Sequence, residues 1–134
     1  MTEVTRIVKR PGQQPAPHLQ DHAAACADFR WEQARAALAG LPGGGLNIAH
    51  EAVERHLGTP RERRCALRWI GKSGARRELS YAELSSATSR FANALRALGV
   101  QPGDAVFVLM GRLPEVPIAL LGALKAGCVV SPLF

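Results

Sequence analysis

Residues 104–134 read DAVFVLMGRLPEVPIALLGALKAGCVVSPLF, and this stretch decides the fold. Asp104 to Met110 is a near-continuous apolar run, the pattern of a strand covered on both faces. Pro114 and Pro117 suit the first turn of a helix, where a missing amide costs little. Ile118, Leu121 and Leu124 give that helix apolar positions as far as about Ala126, and Gly127 stops it. Cys128 to Pro132 then begins a second buried strand. Strand, helix and strand within roughly 30 residues make a βαβ unit, so the strands are expected to be parallel, with a right-handed crossover. The sequence ends at Phe134 just as the second strand leaves the helix. A lone parallel pair exposes an edge and an uncovered face. The expectation is therefore α/β architecture, the incomplete opening part of a larger domain truncated at its C-terminal end.

Upstream, Ser80-Tyr81-Ala82-Glu83 is a capping box. The Ser80 hydroxyl can accept from the Glu83 amide while the Glu83 carboxylate accepts from the Ser80 amide. Leu84, Ala87, Phe91, Ala94, Leu95 and Leu98 then form an apolar stripe at helical spacing, ended by Gly99. Arg64 to Ile70 alternates as a strand, Gly71-Lys72-Ser73-Gly74 makes a turn, and Arg76 to Leu79 returns, which predicts a hairpin. Asn47 caps a helix expected over Ile48 to Leu57. Trp31 to Leu38 predicts a short helix with Trp31, Ala34 and Leu38 on one face, stopped by Gly40 to Gly45. Residues 1–20 hold Pro11, Pro15 and Pro17 and read as a mobile tail. The division expected is a flexible tail over 1–27 and a partial N-terminal subdomain over 28–134.

The chain has 134 residues, 47% of them hydrophobic, enough for one domain with a core. Cys26, Cys65 and Cys128 are odd in number and widely spaced, which argues against a disulfide framework or a structural zinc site. No apolar segment follows the basic start, so no secretory signal is expected. The most apolar stretch, Leu113 to Phe134, contains Glu115, Lys125 and three prolines, and reads as core rather than a membrane span. A cytoplasmic protein is expected. The net charge of +6 lies wholly within residues 1–99. Arginine outnumbers lysine 14 to 3, the basic residues are scattered, and no aromatic set interleaves with them. That pattern speaks against nucleic-acid binding.

The chemistry-bearing motifs are near misses. Gly71-Lys72-Ser73 resembles the end of a phosphate-binding loop, but Ala66 stands where that loop needs its first glycine, and a strand follows instead of a helix. Gly43-Gly44-Gly45 has no strand before it and reads as a connector. His50-Glu51 lacks the second histidine of a zinc-protease helix, since Glu54 occupies that position. No serine sits in a G-x-S-x-G elbow. The residues alone give no nucleophile–base pair, no ATP-binding loop and no metal set.

Several segments together resemble the N-terminal part of AMP-forming acetyl-CoA synthetases (acetate–CoA ligases), within the adenylate-forming, AMP-binding superfamily. They are Leu46 to His56, Leu79 to Leu84, Arg90 to Leu95 with Leu98-Gly99-Val100, Gly103 to Met110, and Leu113 to Gly127. The Tyr-x-Glu-Leu, Gly-Asp-x-Val and Gly-Ala-x-Lys-Ala-Gly elements recur across the superfamily, and the Asn-Ile-Ala…Arg-His stretch points to the acetyl-CoA synthetase branch. The resemblance implies a two-step ligase. ATP activates a short carboxylate as an acyl-adenylate, and CoA then displaces AMP, with Mg²⁺ neutralising phosphate charge. It also implies that the catalytic lysine, phosphate loop and acyl pocket lie outside these residues. No catalytic, ATP-binding or metal-binding residue is thus carried over, tight binding of ATP, CoA or Mg²⁺ by this chain is not expected, and the chain alone is expected to be inactive. Propionate is the alternative acid, and a non-catalytic remnant or interaction module, self-associating through the sheet edge, is the alternative class. Phe134 matches an aromatic that the family carries near the CoA channel. It is either a CoA-adjacent contact or a core aromatic at a strand end.

Overall fold

The computed structural model, which describes residues 19 and 21–133, contains the βαβ unit where the apolar runs lie. Compact packing divides the chain between Ala37 and Leu38. In the first unit, α1 spans His22–Asp28 and α2 spans Trp31–Ala36. Of the tail expected over residues 1–27, residues 1–18 and 20 lie outside the described residues, and residues 22–27 are helical. Asp21 caps α1 by accepting from the Ala24 amide at 3.0 Å, and the alanine-rich sequence that follows the last proline favours a helix. Helix α2 ends at Ala36, two residues short of expectation. Trp31 is 77% exposed, its ring meeting Phe29 edge-on at 5.1 Å.

The second unit begins with α3, Ile48–Ala52, and a 3-10 turn, Glu54–His56. A single helix to Leu57 is not formed. Val53 leaves the helical region at φ −129°, ψ −64°, and its side chain is 1% exposed, so the chain bends there and the valine is buried. The hairpin follows, with β1, Cys65–Ile70, antiparallel to β2, Arg76–Ser80, and an irregularity between Cys65 and Leu67. Its turn closes with Gly71 N–H donating to Ala75 O at 2.8 Å and Gly74 at φ +84°.

Helix α4, Tyr81–Ala97, starts at the expected capping box, with both reciprocal bonds formed. Its buried positions are Leu84, Ser85, Thr88, Ala92 and Leu95. The stripe is rotated from the one expected: Leu98 is 80% exposed, while Thr88 is 1% exposed. Thr88 is tolerated inside because its hydroxyl donates to Ser85 O at 3.0 Å. A strand β3, Ala105–Leu109, a helix α5, Glu115–Lys125, and a strand β4, Val129–Leu133, complete the unit. β3 and β4 are parallel, pairing Ala105 with Val129 through Leu109 with Leu133.

The core lies where α4, α5 and the start of β4 meet, and it is built of small residues: Ala92, Leu95, Ala123, Ala126 and Cys128. Small side chains let α4 and α5 approach closely. At Gly122 an added Cβ would fall 2.9 Å from Phe91 side-chain atoms and from Thr88 O, so only glycine fits there. Val106 and Val130 pack onto this cluster from the sheet. Alternate residues point the other way. Phe107, Leu109, Val129 and Leu133 are all exposed among the described residues, the uncovered face expected of a lone parallel pair, although the apolar run of β3 by itself reads as a strand covered on both faces.

Candidate functional site

The C-terminal ends of parallel strands are where open α/β sheets bind ligands. Here those ends open into a groove of about 280 Å³. Val108, Met110 and Leu133 come from the strand ends, Val116 and Pro117 from the first turn of α5, and Trp69 from the hairpin. Two contacts hold the hairpin beside α5. Trp69 Nε1 donates to Arg112 O at 2.7 Å, and Arg77 Nη1 pairs with Glu115 Oε1 at 2.6 Å. Gly71 lets the Trp69 ring fold back over the turn, since a Cβ there would meet the ring at 2.6 Å. Arg112 is exposed, and it serves the groove through its backbone carbonyl.

The described lining of the groove is mostly apolar. Arg68 and Arg112 are its charged lining residues, and among the described residues no carboxylate, histidine or thiol lines it. Phe134, the CoA-adjacent candidate, lies outside the described residues; Leu133 is the last lining residue before it. Among the described residues, no three His, Cys, Asp or Glu side chains gather as a metal set. In the Gly71–Gly74 turn, Gly71 N–H bonds Ala75 O and Gly74 N–H bonds Gly71 O, so these two amides close the hairpin.

The motif residues have a different use. Lys125, the lysine of Gly-Ala-x-Lys-Ala-Gly, donates to Glu54 Oε1 at 2.6 Å and to Ser89 Oγ at 2.8 Å. Ser85 Oγ donates to the same Glu54 oxygen at 3.2 Å. Asn47 caps α3 with its side-chain oxygen, accepting from Ala49 N–H at 2.9 Å, and its Nδ2 donates to Leu124 O at 2.8 Å. These bonds tie the Asn-Ile-Ala…Arg-His stretch to α4 and α5. The Glu54–Lys125 pair, 71 residues apart in sequence, was not visible from spacing: Lys125 stands out as the charge in the last, otherwise apolar turn of α5, but Glu54 sits in the polar run Glu54-Arg55-His56 and carries no such signal.

The near-miss metal motif is also structural. Glu51 accepts from Ala39 N–H at 3.0 Å and Gly40 N–H at 2.7 Å, and pairs with Arg55 at 2.7 Å. The Ala39 amide above all, then Gly40 and the Arg55 charge, hold its carboxyl below the ordinary value of 4.5, against partial desolvation. Glu83 is likewise lowered by the Ser80 amide and hydroxyl. His56 stacks edge-on against Tyr81, ring centres 4.6 Å apart.

Residues 53–134 match the family model described as AMP-binding enzyme. The chain is 40% identical over 92 residues to the acetyl-coenzyme A synthetase of Chlorobaculum tepidum, covering 69% of this chain and 14% of that protein. It is 37% identical over 109 residues to the 3-hydroxypropionyl-coenzyme A synthetase of Sulfurisphaera tokodaii, covering 78% of this chain and 16% of that protein. Among solved structures it resembles an acyl-CoA synthetase of Brucella canis, with a TM-score of 0.74 and 35% identity, covering 84% of this chain and 20% of the other. The chain thus spans about a seventh of the length of the curated relatives it matches.

Proposed function

The chain belongs to the AMP-binding enzyme family, and on that premise we propose that it is the opening part of an AMP-forming acetate–CoA ligase. The observation that carries this reading is its identity to acetyl-coenzyme A synthetases, at 40% over 92 residues for one of them. The complete enzyme would activate acetate with ATP and Mg²⁺ as acetyl-adenylate and transfer the acetyl group to CoA. These 134 residues would supply scaffold: a partial N-terminal subdomain from residue 28, preceded by the tail, with none of the reacting groups. The chain alone would be inactive and would not hold ATP, CoA or Mg²⁺ tightly. Phe134 would stand near the CoA channel. ATP and CoA are cytoplasmic metabolites, and we assign the protein to that compartment, with small-molecule partners and no nucleic acid or membrane.

A slightly longer acid, such as propionate, is the second reading, and the similarity to 3-hydroxypropionyl-coenzyme A synthetases supports it. The bare sheet face supports a third, in which the chain alone is a non-catalytic module that self-associates. The test is to sequence the gene past the Phe134 codon, express the full open frame, and assay CoA thioester formation from acetate, propionate and 3-hydroxypropionate. Acetate preference supports the proposal. A preference for another acid moves it to the second reading, and an immediate stop codon moves it to the third.

A further inference from the structure

The loop between the 3-10 turn and β1 carries Arg61, Arg63 and Arg64, and its neighbours include Arg55 and His56. Arg55, His56, Thr59, Arg61 and Arg64 line one surface hollow of about 470 Å³. That size lies within the range of about 300–1,000 Å³ usual for small-molecule sites. A basic sequence normally folds so that nearby carboxylates neutralise it. Here each carboxylate of residues 51–64 is engaged elsewhere. Glu51 holds Ala39, Gly40 and Arg55. Glu54 holds Lys125 and Ser85. Glu62 accepts from Gly58 N–H at 2.8 Å.

Among the described residues, four salt bridges form, and neither Arg61 nor Arg64 takes part in one. Both are exposed. Their backbones are nonetheless fixed. Arg61 N–H donates to Thr59 Oγ1 at 3.2 Å, Arg64 N–H to Arg61 O at 2.8 Å, and Arg64 O accepts from Tyr81 N–H at 3.2 Å. His56 is held at the wall by its contact with Tyr81. The hollow therefore joins uncompensated guanidinium groups to an ordered frame.

We propose that this hollow binds a small phosphorylated anion, with Arg61 and Arg64 as the recognising groups and His56 at its wall. Guanidinium presents paired N–H donors that match phosphate oxygens, and two of them on one concave surface favour a compact anion over an extended chain.

The test uses inorganic pyrophosphate and the 134-residue chain in about 0.15 M salt, where long-range attraction is screened over about 8 Å. NMR follows the His56 ring protons and the arginine side-chain N–H signals. The expected result is a saturable shift of His56, weakened at least tenfold in Arg61→Gln/Arg64→Gln. It should be unchanged in Arg90→Gln/Arg96→Gln, which removes the same charge from α4. Arg61→Lys/Arg64→Lys keeps the charge and is expected to fall between, guarding against loss of fold in the glutamine variant. Equal weakening in the α4 variant would assign binding to net charge and overturn the proposal. So would the absence of a saturable shift, or tighter binding of an acidic peptide than of pyrophosphate.

Discussion

On one face of the β3–β4 sheet, Val106 and Val130 lie against the small-residue cluster of α4 and α5. On the other, Phe107, Leu109 and Val129 are 66%, 74% and 63% exposed. The two sets alternate along the same strands and have the same chemistry. What separates them is supply: two helices cover the first face, and none of the described residues covers the second. Apolar side chains yield about 25 cal/mol per Å² only when something removes them from water. Stability should therefore reside in the α4–α5 seam and be nearly indifferent to the bare face.

The strongest challenge to that contrast is Gly122→Val. Its side chain would collide with Phe91 and with the backbone oxygen of Thr88, which cannot swing aside. A loss of about 3 kcal/mol, the upper end of ordinary overpacking, is expected in the urea midpoint. Lys125→Met should cost about 2 kcal/mol, because it leaves Glu54 without its cation at a site where the two side chains are 25% and 18% exposed. Adding Glu54→Gln should recover part of that loss; no recovery would mean the pair is not coupled.

Ser80→Ala removes the cap of α4 and should cost about 1 kcal/mol. The same cap has a pH signature. Glu83 and Glu51 have lowered folded-state values, so their stabilisation is full above the unfolded value near 4.5 and is lost as pH falls through the folded values. Glu51→Gln should flatten the acid limb of a stability–pH profile. A limb unchanged in the variant would refute the assignment. The smallest effect belongs to the bare face: Phe107→Ser with Leu109→Ser should shift the midpoint by about 0.5 kcal/mol or less. It should also lower dye binding to exposed apolar surface. A large destabilisation would mean that the face is covered after all.

Much of this contrast was legible in the sequence. The parallel pair, its helix, the hairpin turn at Gly71–Gly74 and the Ser80–Glu83 box follow from local spacing and local bonds, and they formed as expected. Long-range choices were not legible. The burial of Thr88 rather than Leu98 on α4 goes with the close approach of Gly122 to Thr88 and Phe91, contacts across 34 and 31 positions that no period announces. The break at Val53 reflects where that side chain finds burial, against its local helical pattern. The short apolar run of β3 looks the same whether one face is covered or two. The candidate site was less legible still, since the groove joins Trp69 to Met110 and Val116 through tertiary packing. The motif lysine, read from the resemblance, proved to be a clamp on Glu54.

We propose that this chain carries the family's scaffold without its chemistry. The most direct test is carboxylate-dependent ATP–pyrophosphate exchange by the purified 134-residue chain, with a complete acetyl-coenzyme A synthetase as positive control. The account predicts exchange at the blank level with acetate and with propionate. Exchange that rises with acetate concentration and tracks the folded chain would contradict it, because the adenylating groups would then have to lie within these residues.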